Sequence, residues 1–382
     1  MDKEIIIVGT GPAGSSTALH LAERAPELVE RTLLLERAHH PRPKLCGGGV
    51  LEDGLRILDR LGLDLSAVEH LDVREVQILF QGRGPLIESK TSDAAFRVFD
   101  RPLLDSWLAE EARAKGFALQ EGVRVRQVRP GPDCVEVITD RRTYRAQVVV
   151  GADGSNSVVR RAITPGTAKG VARLMECYLD DVPTSAWEST QNGRIAIFDY
   201  TAILDGIRGY TWNFPMVMNG KTTQNRGVYD LNVGKGKRKS LRPILEKALR
   251  ADGIDPAGLH FQSHPIRWFT AKGPFSAPGI LLAGDAAGVD PAAGEGIAFA
   301  LGYGALAAEE LADAFARKDF SFSGYADRVL RSRMGRALQN RYRLTGMLYS
   351  IRIPWVQRLL WWRLGFLFQR YLQPFATDWT LE

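Results

Sequence analysis

Cysteine is scarce in this chain. There are three in 382 residues, Cys46, Cys134 and Cys177, odd in number and far apart. A disulfide framework is therefore excluded and a reducing compartment is expected. Histidine is scarce too. His39, His40 and Cys46 lie close together, but no other Cys or His cluster completes a ligand set, so no metal is expected. No uncharged apolar run reaches the roughly 18 residues of a membrane-spanning helix. The opening MDKEIIIVG lacks a basic stretch followed by an apolar segment and cleavage site, so no signal peptide is expected and the location is read as cytoplasmic. Internal repeats and low-complexity segments are also missing. The net charge of +6 and pI near 9.2 admit an anionic partner, whether nucleic acid, acidic lipid or a phosphorylated substrate, without choosing among them. The length suits two domains or one large discontinuous one.

What is present begins at the N-terminus. Ile5 to Val8 read as a buried parallel strand. Gly9, Gly11 and Gly14 then match G-x-G-x-x-G, with Pro12 and Ala13 opening a helix. The glycines permit a tight turn and let backbone N–H groups approach a pyrophosphate at the positive helix terminus. A second strand, Thr32 to Leu35, ends at Glu36, 22 residues past Gly14, where a carboxylate accepts ribose hydroxyls. Glu36 favours an unphosphorylated ribose, as in FAD or NAD; Arg37 beside it points the other way.

Two later stretches choose between these. RAQVVVGADGSNSVVRR carries a strand followed by Gly151, Asp153, Gly154, Ser157 and Arg160. GILLAGDAAGVDPAAGEGIAFAL carries another, followed by Gly284, Asp285, Pro291, Gly294 and Gly296 before a helix that includes Ile297. Together with the first motif they resemble the FAD-dependent oxidoreductases of the aromatic-hydroxylase class. The resemblance implies an α/β fold: a Rossmann-like FAD-binding domain, a β-sheet substrate domain and C-terminal helices, as in the aromatic-hydroxylase and glutathione-reductase-like FAD folds. It implies FAD, with Asp153 and Gly154 near the pyrophosphate and Asp285 on the ribityl chain. The glycine-rich helix start is placed by the isoalloxazine, where a helix N-terminus meets the negative charge that reduction builds. Arg101 and Val125 are expected beside the cofactor. No second complete strand–GxGxxG–helix unit appears. NVGKGKRKS, 232 to 240, reads as a hairpin turn or solvated loop. Electrons are therefore expected from a visiting NAD(P)H or a ferredoxin-like protein.

PKLCGGGV, Pro43 to Val50, resembles the Cys-Gly-Gly loop of the geranylgeranyl reductases, with Cys46, Gly47 and Gly48 at the cofactor. GYTWNFP matches that family's Tyr-x-Trp-x-Phe-Pro motif at Tyr210, Trp212, Phe214 and Pro215. Flavin halogenases carry Trp-x-Trp-x-Ile-Pro at the comparable place. Strand alternation puts the three aromatics on one face, as core or as the wall of an apolar substrate site. The resemblance covers residues 1 to 310. It implies a reductase that saturates C=C bonds of an isoprenoid or prenylated lipid, with Cys46, Tyr210 and Trp212 as the catalytic candidates. The proton donor is left among Cys46, Tyr210 and ordered water. For Cys46 a small residue in a tight loop is the competing reading; Lys44 and Arg42 either meet a diphosphate or are solvated. The rival functions are a flavin monooxygenase or halogenase, and a membrane-associated electron carrier to quinone.

Residues 328 to 377 hold ten arginines and no acid, interleaved with aromatics including Trp355, Trp361, Trp362, Phe366, Phe368 and Tyr371. Such a segment suits a lipid headgroup interface or helices that close a pocket; no nucleic-acid motif accompanies it. The FAD domain is expected at 1–70, 100–165 and 275–310. The substrate domain is expected at 71–99 and 166–274, with strands around Val73, Val76, Ile78 and Phe80 and from Ile195 to Trp212. A helical segment is expected over 311–382.

Overall fold

Four consecutive aliphatic residues, Ile5 to Val8, can bury both faces only in the middle of a covered sheet, and that is where they lie. The computed structural model describes residues 2–88, 94–164, 170–180, 182–188, 190–233, 238–349, 351, 353–363 and 379–380. In its first half β1 (Ile5–Val8) runs into α1 (Pro12–Arg24) and β2 (Thr32–Leu35). Then come α2 (Arg101–Ala114), β3 (Ala118–Gln120) and β4 (Val148–Gly151). The next third of the chain contributes β5 (Val171–Leu179), β6 (Ile195–Asp199), β7 (Gly209–Met218), β8 (Lys221–Asp230) and β9 (Gln262–Arg267). It returns as β10 (Ile280–Leu282), α3 (Ile297–Arg317) and α4 (Arg333–Leu348).

The first sheet is six-stranded, in the order Ser276–Ala277, β10, β4, β1, β2, β3. It is parallel except at its first edge. α1 is wedged between this sheet and α3. A Cβ on Gly14 would fall 1.9 Å from the Gly9 carbonyl oxygen, and one on Gly304 would fall 2.4 Å from Ser16 Oγ. Ser16 Oγ donates to Leu301 O at 2.7 Å, locking the helix pair. All the expected α/β features of an FAD fold are present.

The second sheet has seven strands, in the order β9, β5, β8, β7, β6, Glu75–Leu79, Leu86–Glu88. It is antiparallel apart from the pairing of β6 with Glu75–Leu79. The run from Ile195 to Trp212 is not continuous strand. Asp199 accepts from the Thr201 N–H at 2.8 Å and starts a helical turn, Tyr200–Asp205, which Gly206 ends at φ +94°. That turn carries Tyr200 into the core. Of the loop 232 to 240, residues 234–237 lie outside the described residues. The others are irregular, except that 241 begins a helical turn leading to Arg242–Ala251. Beyond α4 a short helix, Pro354–Arg358, and a turn, Leu359–Arg363, cross the end of the second sheet. There Trp361 is buried while Trp355 is 65% exposed. Phe366, Phe368 and Tyr371 lie outside the described residues. No helix among the described residues is long and apolar enough to cross a membrane.

Candidate functional site

One cavity of about 1340 Å³ runs from the carboxyl ends of β1 and β2 to the aromatic face of β7. Pockets for one small ligand occupy roughly 300–1,000 Å³, so this one is sized for more than a single compact molecule. At its first end Gly9, at φ +95°, lets the chain turn against β4, where a Cβ would sit 2.5 Å from Ala152 O. α1 begins at Gly11 with no side-chain cap and no acid in its first turn, so its N–H groups face the cavity past Gly11, Pro12 and Ala13. Glu36 ends β2. It accepts from Thr10 N at 3.1 Å and Thr10 Oγ1 at 3.2 Å on one oxygen, and from Ala38 N at 3.1 Å on the other. Oε2 is thereby satisfied, whereas Oε1, which also lies 3.4 Å from Arg42 Nε, keeps a lone pair for a ribose hydroxyl. Arg37 and Val125 line the rim of the same end.

Two guanidinium groups, Arg101 buried and Arg42 half-buried, flank α1. Arg101 donates to Asp105 Oδ1 from Nε (3.0 Å) and Nη2 (2.8 Å), and Arg42 Nη2 lies 3.1 Å from Asp105 Oδ2. Arg42 Nη2 is also 3.4 Å from the Cβ position of Gly11. Further along, Asp153 and Gly154 line the cavity, but the Asp153 carboxylate is committed to the helix Val158–Ile163. It accepts from Ser157 Oγ at 2.5 Å and Val158 N at 2.6 Å. Asp285 is held by Ser155 Oγ at 2.8 Å and faces Gly296, the uncapped start of α3. Gly294, Gly296 and Ile297 line the wall there; Gly14, Gly284, Pro291 and Pro215 stand behind it. Gly14 packs on β1, and a Cβ on Gly284 would sit 2.7 Å from Ala13 Cβ.

The second end is aromatic. Tyr210, Trp212 and Phe214 all face the cavity from β7, joined by Phe96, Phe198, Tyr200 and Trp361. Ring centroids lie 4.6 Å apart for Tyr200–Trp361 and 5.0 Å for Phe198–Phe214. The Trp212 indole sits over Gly227 of β8, where a Cβ would be 2.1 Å from the ring, and donates to Asn225 Oδ1 at 2.5 Å. The Cys46 loop lies between the two ends. Gly47 is bare because Phe214 fills the place of its Cβ, at 2.9 Å. Cys46 N donates to Glu176 Oε1 at 2.9 Å and Gly48 N donates to the Cys46 sulfur at 3.5 Å, with the Arg101 guanidinium close enough to that sulfur to interact with its charge.

Two uncapped helix N-termini, a carboxylate with an acceptor site left over, a pair of arginines and Asp285 along one cavity are a set of groups that suits a dinucleotide with an extended polyol. The family defined as FAD binding domain matches residues 2–318. The chain belongs to that FAD-binding family. This FAD-dependent oxidoreductase is 28% identical over 332 residues to the geranylgeranyl diphosphate reductase of Rhodobacter capsulatus, covering 81% of this chain and 75% of that one. A geranylgeranyl bacteriochlorophyll reductase-like protein from Thermoplasma acidophilum shares the fold with a TM-score of 0.77 at 19% identity, over 98% of this chain and 91% of that one. A point mutant of the halogenase PltM, solved with FAD, shares it with a TM-score of 0.67 at 15% identity, over 92% of this chain and 77% of that one. The residues therefore fit FAD: Glu36 for the adenosine ribose, Gly11 to Ala13 with Arg42 and Arg101 for the pyrophosphate, Asp285 for the ribityl chain, and the α3 terminus for the ring.

Several groups around the FAD site carry no sequence motif. Glu176 is fully buried behind Cys46; burial pushes its carboxyl up to about 7, and Oε2 has no partner. Lys44 Nζ lies 2.7 Å from His264 Nε2. Burial pushes both downward, His264 to about 4, so the imidazole is neutral and accepts from the amine. Three tyrosines from three elements hold the loop before α3: Tyr229 Oη donates to Pro291 O (3.0 Å), Tyr349 Oη to Ala292 O (3.1 Å) and Tyr210 Oη to Ala293 O. Arg341 of α4 reaches Asp290 Oδ2 at 2.9 Å and Glu295 Oε2 at 2.5 Å. The sequence reading passed over Glu295 between the two glycines it singled out, and the others required the fold.

Proposed function

We propose that the chain saturates C=C bonds of a geranylgeranyl-type isoprenoid, with residues 71–99 and 166–274 forming the substrate-binding part. The observation that carries this reading is the aromatic end of the cavity, continuous with the FAD end and separated from it only by the Cys46 loop. An isolated alkene needs a hydride on one carbon and a proton on the other, and reduced FAD supplies the hydride. Tyr210, Trp212 and Phe214 orient the chain and exclude water. Their faces also stabilise cationic character at the protonated alkene, by roughly 0.5–2 kcal/mol per contact. The Tyr210 hydroxyl is committed to Ala293 O, so its ring rather than its proton serves this role. Cys46 holds the alkene at the junction, braced by Arg101 and Glu176.

The test is anaerobic. Reduced holoprotein mixed with geranylgeranyl diphosphate, or with phospholipid bearing geranylgeranyl chains, is expected to reoxidise and to yield products heavier by two mass units per bond. Reoxidation only when air is admitted, with a gain of one oxygen, would move the assignment to a monooxygenase. In the same assay Cys46→Ala is expected to keep its full FAD absorbance and lose most turnover. Undiminished turnover would reduce Cys46 to a loop residue.

The substrate class also gives the C-terminal segment a role. Ile353, Trp355 and Leu359 are exposed on the segment whose Ile351, Leu360 and Trp361 line the cavity. An apolar, aromatic edge with flanking arginines at the mouth of an isoprenoid site suits docking on an anionic lipid surface. Flotation with anionic vesicles is expected to carry the protein, and Trp355→Ser is expected to weaken that. Absence of flotation at low salt would refute the docking.

A further inference from the structure

Glu295 sits between two glycines at the start of α3, in the wall of the cavity where it passes from Asp285 to the aromatic end. Its side chain is 6% exposed. Oε2 is held by Arg341, whereas Oε1 is buried and has no hydrogen-bond partner. A buried carboxyl with one oxygen anchored and one unsatisfied is costly to maintain unless it does something. The ADP half of FAD is accounted for by Glu36, Gly11 and the two arginines, which leaves the ring to the α3 end. Reduction therefore adds negative charge within the field of Glu295.

The charged neighbours leave Glu295 finely balanced. From α4 comes Arg341; from its own loop, Asp290; from the helix Glu52–Arg60, Asp53; and across Gly296, Asp285. The hydroxyls of Tyr210, Tyr229 and Tyr349 are spent on the carbonyls beside it, and the Lys44–His264 pair shares the cavity farther off. Burial and Asp290 push the carboxyl upward, to about 7, against the pull of Arg341. A further negative charge nearby raises it again.

We infer that Glu295 is a redox-linked proton site, taking up one proton from solvent when the bound FAD receives two electrons and releasing it when those electrons leave. The balance is simple. A nicotinamide dinucleotide or a reduced iron–sulfur protein supplies the two electrons, the FAD takes its own proton, and the Glu295 carboxylate becomes a carboxylic acid. Where the electrons then leave as hydride to an alkene, the proton that Glu295 releases meets the demand of the second carbon. That last step rests on the proposed reductase activity; the uptake itself does not.

The experiment therefore needs no substrate. Holoprotein in weak buffer slightly above neutral pH is photoreduced anaerobically, and proton uptake is read with an indicator dye. Wild type is expected to take up up to one more proton per two electrons than Glu295→Gln. Its FAD midpoint potential is correspondingly expected to fall more steeply with pH, by up to about 30 mV more per tenfold change in proton activity for this two-electron couple. Equal uptake in the two proteins overturns the inference. Should Glu295→Gln not bind FAD, two measurements still decide. Glu295→Asp, which keeps the acid, should retain the extra proton. In wild type labelled with ¹³C-glutamate, a protonated-carboxyl infrared band should grow on reduction, and its absence overturns the inference. Extra uptake together with failure to reduce any isoprenoid would sink only the substrate assignment.

Discussion

Gly14→Val is expected to purify colourless. The valine Cβ would lie 1.9 Å from Gly9 O, and neither side can yield. β1 is hydrogen-bonded on both edges, to β2 and β4, so the carbonyl cannot retreat. α1 cannot tilt away either, because α3 presses on its other face through Gly304 and the Ser16–Leu301 bond. The helix start must shift, and with it the N–H groups and Arg42 that would hold a pyrophosphate. Loss of the flavin absorbance and a lower melting temperature are expected, whereas Gly324→Ala, where a Cβ meets nothing within 4 Å, should retain both. Stoichiometric yellow Gly14→Val would mean that α1 does not bind the cofactor as argued.

Arg341→Met should cost about 3–5 kcal/mol at mildly alkaline pH, the usual consequence of leaving buried charges without their counter-ion. Two carboxylates depend on this cation, and the side chains of Arg341, Asp290 and Glu295 are 6%, 0% and 6% exposed. The penalty should itself depend on pH. Glu295 already titrates above an ordinary carboxylate because it is buried, and losing Arg341 raises it further. A group that holds its proton more tightly folded than unfolded contributes stability at low pH, and that contribution is lost as pH rises toward the folded value. Urea unfolding should therefore show the variant nearer to wild type at about pH 5 than at pH 8. A variant within about 1 kcal/mol of wild type at pH 8 would remove the ion cluster from the account.

The cofactor half was legible in the sequence because each of its parts is local. A glycine turn follows β1, an acid ends β2, and Asp285 follows β10, each a few residues from its own strand. The aromatic wall was legible for the same reason, since alternation along β7 fixes Tyr210, Trp212 and Phe214 to one side. What escaped is what two distant segments make together. Arg341 belongs to a stretch whose ten arginines read as a solvated or lipid-facing face, yet it is buried against residues 46 and 51 positions earlier. Arg42 looked equally suited to solvent until Asp105 came across from α2. Glu176, Tyr229 and Lys44 with His264 had no pattern to betray them, because their roles come from the pairing of strands. Gly227 carries its meaning only in the register that sets it under Trp212.

The tyrosines that hold the loop 291–293 have a consequence for how such a protein can change. Tyr210, Tyr229 and Tyr349 face the cavity with their rings and grip the start of α3 with their hydroxyls. Whoever reshapes the pocket for a longer or bulkier chain must cut at these same three residues. Each cut loosens the backbone that would seat the flavin ring. Substrate range and reduction potential are thus inherited together, and libraries built at these positions should be scored for colour and potential before they are scored for product.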